Sequence, residues 1–195
     1  ADGRSVVAHG SGRVRLDALS GTLLGFADIV STTGIITLQG QVSVGIWSGV
    51  SVASSADISI SAQTDVLVML GGSSVSASGA VARLSSARDM TLSDVSADVV
   101  SLVSGEDVIN GAGSTKNVTA TNLRIEAAGS VGAALRHLTV DVDRLSASSA
   151  TGSLFITEDL SVTVADVAVS VTEFLSDATT AIETDASQSD LSTGL

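Results

Sequence analysis

A short apolar triplet, hydrophobic–any–hydrophobic, returns about every 21 residues along most of the chain. It reads Val14-Arg15-Leu16, Ile36-Thr37-Leu38, Ile58-Ser59-Ile60, Ala82-Arg83-Leu84, Val100-Ser101-Leu102, Leu123-Arg124-Ile125, Val140-Asp141-Val142 and Val162-Thr163-Val164. Alternation of this kind is that of a strand with one face buried, and a recurrence of roughly 20 to 30 residues marks a solenoid. The steps between triplets are 22, 22, 24, 18, 23, 17 and 22, so corners bulge in some coils and tighten in others.

Two further apolar series run in parallel with the triplets. One is Leu23, Val44, Val68, Leu92, Ile109 and Val131; the other is Val30, Val52, Val75, Val95, Val118 and Leu138. Three apolar positions per coil predict an all-β parallel β-helix (β-solenoid) of roughly triangular section, with eight or nine coils. Gly, Ser, Ala, Asn and Asp between the series suit tight corners. Hydrophobic residues make up 44% of the chain but aromatics only 2%, which fits stacked aliphatic ladders better than an irregular core. Proline is absent, as expected where most backbone N–H groups donate to a neighbouring rung. An immunoglobulin-like sandwich competes with this reading, but it calls for turn prolines and about 100 residues per domain.

Residues 1–183 are assigned to the solenoid and 184–195 to a polar, acidic tail or linker. Val167–Ile182 is the one stretch whose composition also permits a helix. The opening Ala1-Asp2-Gly3 reads as a mature or excised piece of a longer protein.

The net charge is −12, and after Arg144 come eight acidic residues and no cation. Phosphate contacts need clustered Lys and Arg, so nucleic acid and anionic lipid are disfavoured as partners. No stretch is apolar for the roughly 18 to 20 residues of a membrane helix. With no cysteine, thiolate metal sites and disulfides are excluded.

Chemistry-bearing groups are scattered. His9 and His137 are the only histidines and stand far apart, short of the ligand set of a zinc site. Asp141 and Asp143, stacked near Arg124 and Thr163, are the candidates for a carbohydrate-active site; paired glycosidase carboxylates must flank a cleft at a set separation. Calcium is the one small ligand considered, with Asp107 and Asn110 as candidate ligands in Gly105–Gly113, a single partial match to a nonapeptide calcium repeat. Asn117-Val118-Thr119 fits a glycosylation pattern. No cofactor and no enzymatic activity are expected.

Asn117–Gly132, and the continuation through Leu138–Ala147 and Gly152–Glu158, resemble a recurring unit of giant repetitive bacterial exoproteins and adhesins with filamentous-haemagglutinin-like repeats. The match covers about a quarter of the chain, and Ala133–His137 stands where such units often carry a proline. The resemblance implies a right-handed coil and a structural segment of an extracellular fibre or adhesin shaft, at the cell surface or outside it. Any glycan or surface target would then lie elsewhere in the full protein. Open solenoid ends predict homo-association end to end into filaments. A carbohydrate-active β-helix enzyme and a calcium-dependent surface-binding module are the alternatives.

Overall fold

The computed structural model describes residues 5–111, 115–158 and 160–194, and no helix occurs among them. The chain winds through three faces per turn. The first turn is β1 (Ser5–Ala8), β2 (Val14–Ala18) and β3 (Leu23–Gly25); the second is β4 (Asp28–Ser31), β5 (Ile36–Gly40) and β6 (Val44–Ile46). The third is β7 (Ser51–Ser54), β8 (Ile58–Ala62) and β9 (Leu67–Met69). From here the first two faces share one long bent strand: β10 (Ser74–Ser86) followed by β11 (Met90–Leu92), then β12 (Asp94–Ser104) followed by β13 (Val108–Asn110). Next come β14 (Val118–Ala127) and β15 (Leu138–Ser149), with Val131 and Leu154 continuing the third face as single bridges. The C-terminal part holds β16 (Ile156–Glu158), β17 (Thr163–Val164), β18 (Val167–Phe174), β19 (Thr180–Gln188) and β20 (Leu191–Thr193). Pairing between turns is parallel throughout, giving a β-solenoid of about seven turns with roughly 22 residues each.

Register is strict on the second face. Val14, Ile36, Ile58, Ala82, Val100, Leu123 and Leu145 stack in one inward column. Two residues on, Leu16, Leu38, Ile60, Leu84, Leu102, Ile125 and Ala147 form a second. Most of these side chains are fully buried, so each turn completes the core of its neighbours. The corners are tied by serine: Ser54 Oγ donates to Gly34 O at 2.7 Å and Ser149 Oγ to Gly129 O at 2.7 Å, each reaching the turn below. Approach is close enough at these corners that a Cβ on Gly105 would lie 2.0 Å from Ala87 O.

Several expectations from the sequence need correction. The face-two triplet after Leu123 is Leu145-Ser146-Ala147, whereas Val140 stacks on Val118 in the first face. Counting Val140–Val142 as a coil of its own inflated the coil number, which is about seven rather than eight or nine. On the third face the column through Val44 continues with Leu67, Met90 and Val108, not Val68, Leu92 and Ile109, and on the first it holds Ile29 rather than Val30 and Val140 rather than Leu138. In runs such as Val66-Leu67-Val68-Met69-Leu70 every residue is apolar, so composition cannot reveal which alternate set faces inward. The 24-then-18 spacing is real: Ser78–Ala80 bulge out of β10 around Gly79 at φ 71°, and the next turn cuts its corner to Ser93 alone. Val167–Ile182 is no helix; it makes β18, a turn and the start of β19. The 183/184 boundary falls inside β19, and Leu191–Thr193 rejoins the solenoid by pairing with Ala147–Ser149.

Among the described residues, β1, β2 and β3 of the first turn and β16, β17 and β20 of the last each pair with one neighbouring strand.

Candidate functional site

The one rung built differently from the rest is the last. Thr163-Val164 pairs with Arg144-Leu145, and Leu191–Thr193 pairs with Ala147–Ser149, so two remote segments lie end to end as one strand. The position between them, opposite Ser146, is where the chain leaves. Ala165 N still donates to Leu145 O at 3.2 Å, and Asp190 O accepts from Ala147 N at 3.0 Å. Everything between forms an antiparallel hairpin, β18 with β19, inserted into a single rung.

The hairpin runs along the solenoid axis over the outside of the second face. Its floor is the middle residue of each triplet: Arg15, Thr37, Ser59, Arg83, Ser101, Arg124 and, in the seventh turn, Ser146. Near the tip, Arg15 Nη1 donates to Phe174 O at 2.6 Å and Phe174 N donates to Thr37 Oγ1 at 2.9 Å. Next, Thr172 N donates to Asp57 Oδ2 at 2.8 Å, and Ser59 Oγ to Glu173 Oε1 at 2.6 Å. Toward the base, Arg124 Nε donates to Ala186 O at 2.9 Å and Gln188 Nε2 to Ile125 O at 3.1 Å. Eight residues of β18 at about 3.3 Å each span about 26 Å, and five rung spacings at about 4.8 Å span about 24 Å, so strand length matches the track. The underside of β18 is Val167, Val169 and Val171, all buried, while Ala168 and Ser170 face outward.

Asp185 is the hub of this contact. Its carboxylate accepts from Arg83 Nε and Nη2 at 2.9–3.1 Å and from Ser101 Oγ at 2.6 Å. Burial pushes its pKa up, but the hydrogen bonds from Arg83 and Ser101 and the charges of Arg83 and Arg124 outweigh that and hold it below the usual carboxylate range. Arg124 also donates from Nη2 to Glu126 Oε2 at 2.5 Å. The hairpin closes through Asp177, whose Oδ1 accepts from Thr179 N and Oγ1, with Ala178 at φ 67°.

The residues singled out in the sequence do not converge. Asp107 Oδ1 accepts from Ser130 N at 2.6 Å, while its own N donates to Asp89 Oδ1 at 3.0 Å. Asn110, three residues on at the far end of β13, donates from Nδ2 to His137 O at 2.7 Å and accepts from Asn117 at 3.1 Å. Both side chains therefore serve as ties between turns; Ala112–Ser114 of the glycine-rich stretch lie outside the described residues. No group of three or more His, Cys, Asp or Glu suited to a metal ion occurs among the described residues. Asp141 sits on the first face, stacked on Thr119 and paired with Lys116; Arg124 is on the second, stacked under Ser146. Thr163 lies beside Arg144, and Asp143 is exposed at the bend between the faces, so the expected stacking of Asp141 with Arg124 and Thr163 does not form. Asn117 is buried, with Nδ2 reaching Leu92 O and Ser93 O at 3.3 Å, a corner residue and not an exposed acceptor. His9 is exposed in the first turn, and His137 Nδ1 meets Thr157 Oγ1 at 2.8 Å.

Sequence reasoning missed the axial track. Its signals were the strict alternation of Val167, Val169 and Val171, and three of the chain's arginines at the outward position of the triplets. Comparison with protein-family models, curated proteins and solved structures returns no match.

Proposed function

We propose that this chain is a rigid structural segment of an extracellular fibre or adhesin shaft. The observation that carries the reading is the inserted hairpin. A solenoid resists axial pull only through bonds between adjacent turns, and it can peel one turn at a time. Here a two-stranded ribbon crosses those turns lengthwise and is bonded to the second, third, fourth, fifth, sixth and seventh. Peeling from the C-terminal end must break the bonds of Gln188 and Ala186 to the seventh and sixth turns and then the Arg83–Asp185 clamp, so adjacent turns are coupled through the brace as well as through their own pairing. That is the requirement of a spacer under tension, and it needs no catalytic group.

Single-molecule stretching between flanking marker domains tests this. The expected trace is one cooperative release of about 600 Å, close to the contour length of the chain less its folded rod. A sawtooth of small, low-force steps would sink the shaft reading. Exposure at the cell surface is tested by protease or antibody access on intact source cells, and inaccessible protein overturns the extracellular assignment.

A further inference from the structure

Gly45 is the one glycine in the outward row Leu24, Gly45, Val68, Thr91 and Ile109 of the third face, with the first and third turns on either side of it. The backbone does not ask for it: β6 pairs without a bulge on both sides, and the φ of Gly45 is not left-handed. At corner positions such as Gly105 and Gly111 a Cβ would strike a carbonyl oxygen at 2.0 and 2.4 Å, whereas at Gly45 it would meet only Leu24 Cδ2, at 3.0 Å. Glycine weakens a strand interior, and where neither a bulge nor a crowded backbone accounts for it, it marks the close approach of another group. The missing side chain leaves a pit of about 210 Å³ walled by Leu24, Trp47, Val66, Val68 and Leu70. Two residues on from the row, Phe26, Trp47 and Leu70 form a second outward column. The Phe26 and Trp47 rings, both exposed, lie 4.8 Å apart at a tilt of 46°.

The pit sits on an uncharged floor with acidic edges. Residues 22–27, 43–48, 66–72, 90–93 and 108–111 carry the third face through five turns without a charged side chain, in a chain with 21 acidic and nine basic residues. Along the edge toward the second face stand Asp65, Asp89, Glu106 and Asp107. Arg88, the cation among them, is paired with Glu106 at 3.1 Å and Asp65 at 3.8 Å. Beside the pit, Asp65 also accepts from Ser43 Oγ at 3.0 Å. On the opposite edge Asp28 follows Phe26 by two residues, and Asp94 stands in its column. Such edges repel phosphate and anionic lipid and attract cations. They also disfavour a second copy, which would set acidic edge against acidic edge. Five rungs by two columns, about 24 Å by about 13 Å, would bury only about 600 Å² in all, against about 1,200 Å² for a stable interface.

We infer that this face docks an extended cationic segment of a partner polypeptide, with one aromatic or branched aliphatic side chain seated over Gly45 against Trp47. The volume of the pit suits one such side chain, and apolar anchors that fill a pocket carry most of the energy of protein interfaces. Lysine or arginine on either side of the anchor meets Asp65 at one edge and Asp28 at the other. A site on the flank is independent of the shaft reading, since binding there neither requires nor alters resistance to axial pull.

Trp47 is the only tryptophan, so its emission reports on the pit directly. The probe is the peptide acetyl-GKGFGKG-amide, with acetyl-GKGAGKG-amide and acetyl-GEGFGEG-amide as controls; none contains tryptophan. Titrated to about 5 mM at low salt, the probe should shift Trp47 emission to the blue and bind about tenfold more tightly than either control. Gly45→Val fills the pit with a side chain suited to a strand, and Val68→Lys sets a cation in its wall. Each should abolish the response while circular dichroism still shows the native sheet, and either folded variant suffices. No saturable shift with the probe, equal binding of a control, or an undiminished response in a folded variant overturns the site. So does a shift produced by chitohexaose and not by the peptide, which would make the occupant a glycan. A concentration-dependent dimer that shields Trp47 without any peptide would make it a second copy, and overturns the proposal as well.

Discussion

The outer rows of the second and third faces invert the usual rule of burial. The second face sends out Arg15, Thr37, Ser59, Arg83, Ser101, Arg124 and Ser146, and these polar residues are buried or nearly so beneath the hairpin. The third face sends out Leu24, Gly45, Val68, Thr91 and Ile109, a largely apolar row that nothing covers. Residue type alone would have assigned the cover to the third face. The difference teaches that a polar row becomes a docking track when a strand's own donors and acceptors can meet most of it, here all but Arg124 Nη1 and Ser146 Oγ. A hydroxyl or guanidinium taken from water is compensated only by a partner in register.

The largest break in this contrast comes from Asp185→Ala. It strips the buried carboxylate from Arg83 and Ser101, and loss of one member of such a pair costs about 3 kcal/mol. Denaturant titration should record that loss, with hydrogen exchange quickening in β18 and β19 before the rungs; Thr91→Ala on the open face should stay within about 0.5 kcal/mol. The same carboxylate sets an acid limb. Its native pKa lies below the unfolded value of about 3.9, so its stabilisation is complete above that pH and is lost as pH falls through the native pKa. Asp185→Asn should flatten the fall in thermal midpoint below about pH 4, and an unchanged limb would show that other carboxylates govern it.

Apolar burial sharpens the comparison at smaller scale. Val169→Ala beneath the hairpin should cost about 1.6 kcal/mol for two lost methyl equivalents, against about 0.5 kcal/mol or less for Val68→Ala on the open row. Equal losses would mean that the third face is covered in solution. The smallest effect has the opposite sign: Ala178→Gly relieves a left-handed alanine at the hairpin tip and should stabilise by about 0.5 kcal/mol. Melting curves of the two proteins, with the hairpin's exchange rates as a local readout, suffice to check it.

Which parts were legible follows from the same physics. Triplets such as Ile58-Ser59-Ile60 set a hydroxyl between two branched aliphatics, so phase, face and spacing were all readable. Where Val108-Ile109 or Leu67-Val68 place two apolar residues side by side, only the existence of a strand could be read. The seventh triplet, Leu145-Ser146-Ala147, was hidden because alanine takes an aliphatic column position and Val140-Asp141-Val142 imitates the pattern more strongly. The hairpin was legible in its parts but not in its destination: alternation in Val167–Val171 marks a strand, but nothing local says that it lies across the others. Asp107 and Asn110 illustrate the converse, since acidic and amide groups in a glycine-rich corner serve to bind one turn to the next.

The excursion that forms the hairpin leaves and re-enters at adjoining places in a single strand. Its endpoints are therefore as close as those of a tight loop, and the winding above and below is indifferent to what is threaded between them. A rod with this arrangement has a socket at the outward slot of a rung, where a longer arm, a different ribbon or a whole compact module could be grafted without altering its pitch. Length and ornament become separate variables in such a molecule, one set by the number of windings and the other by what the socket holds.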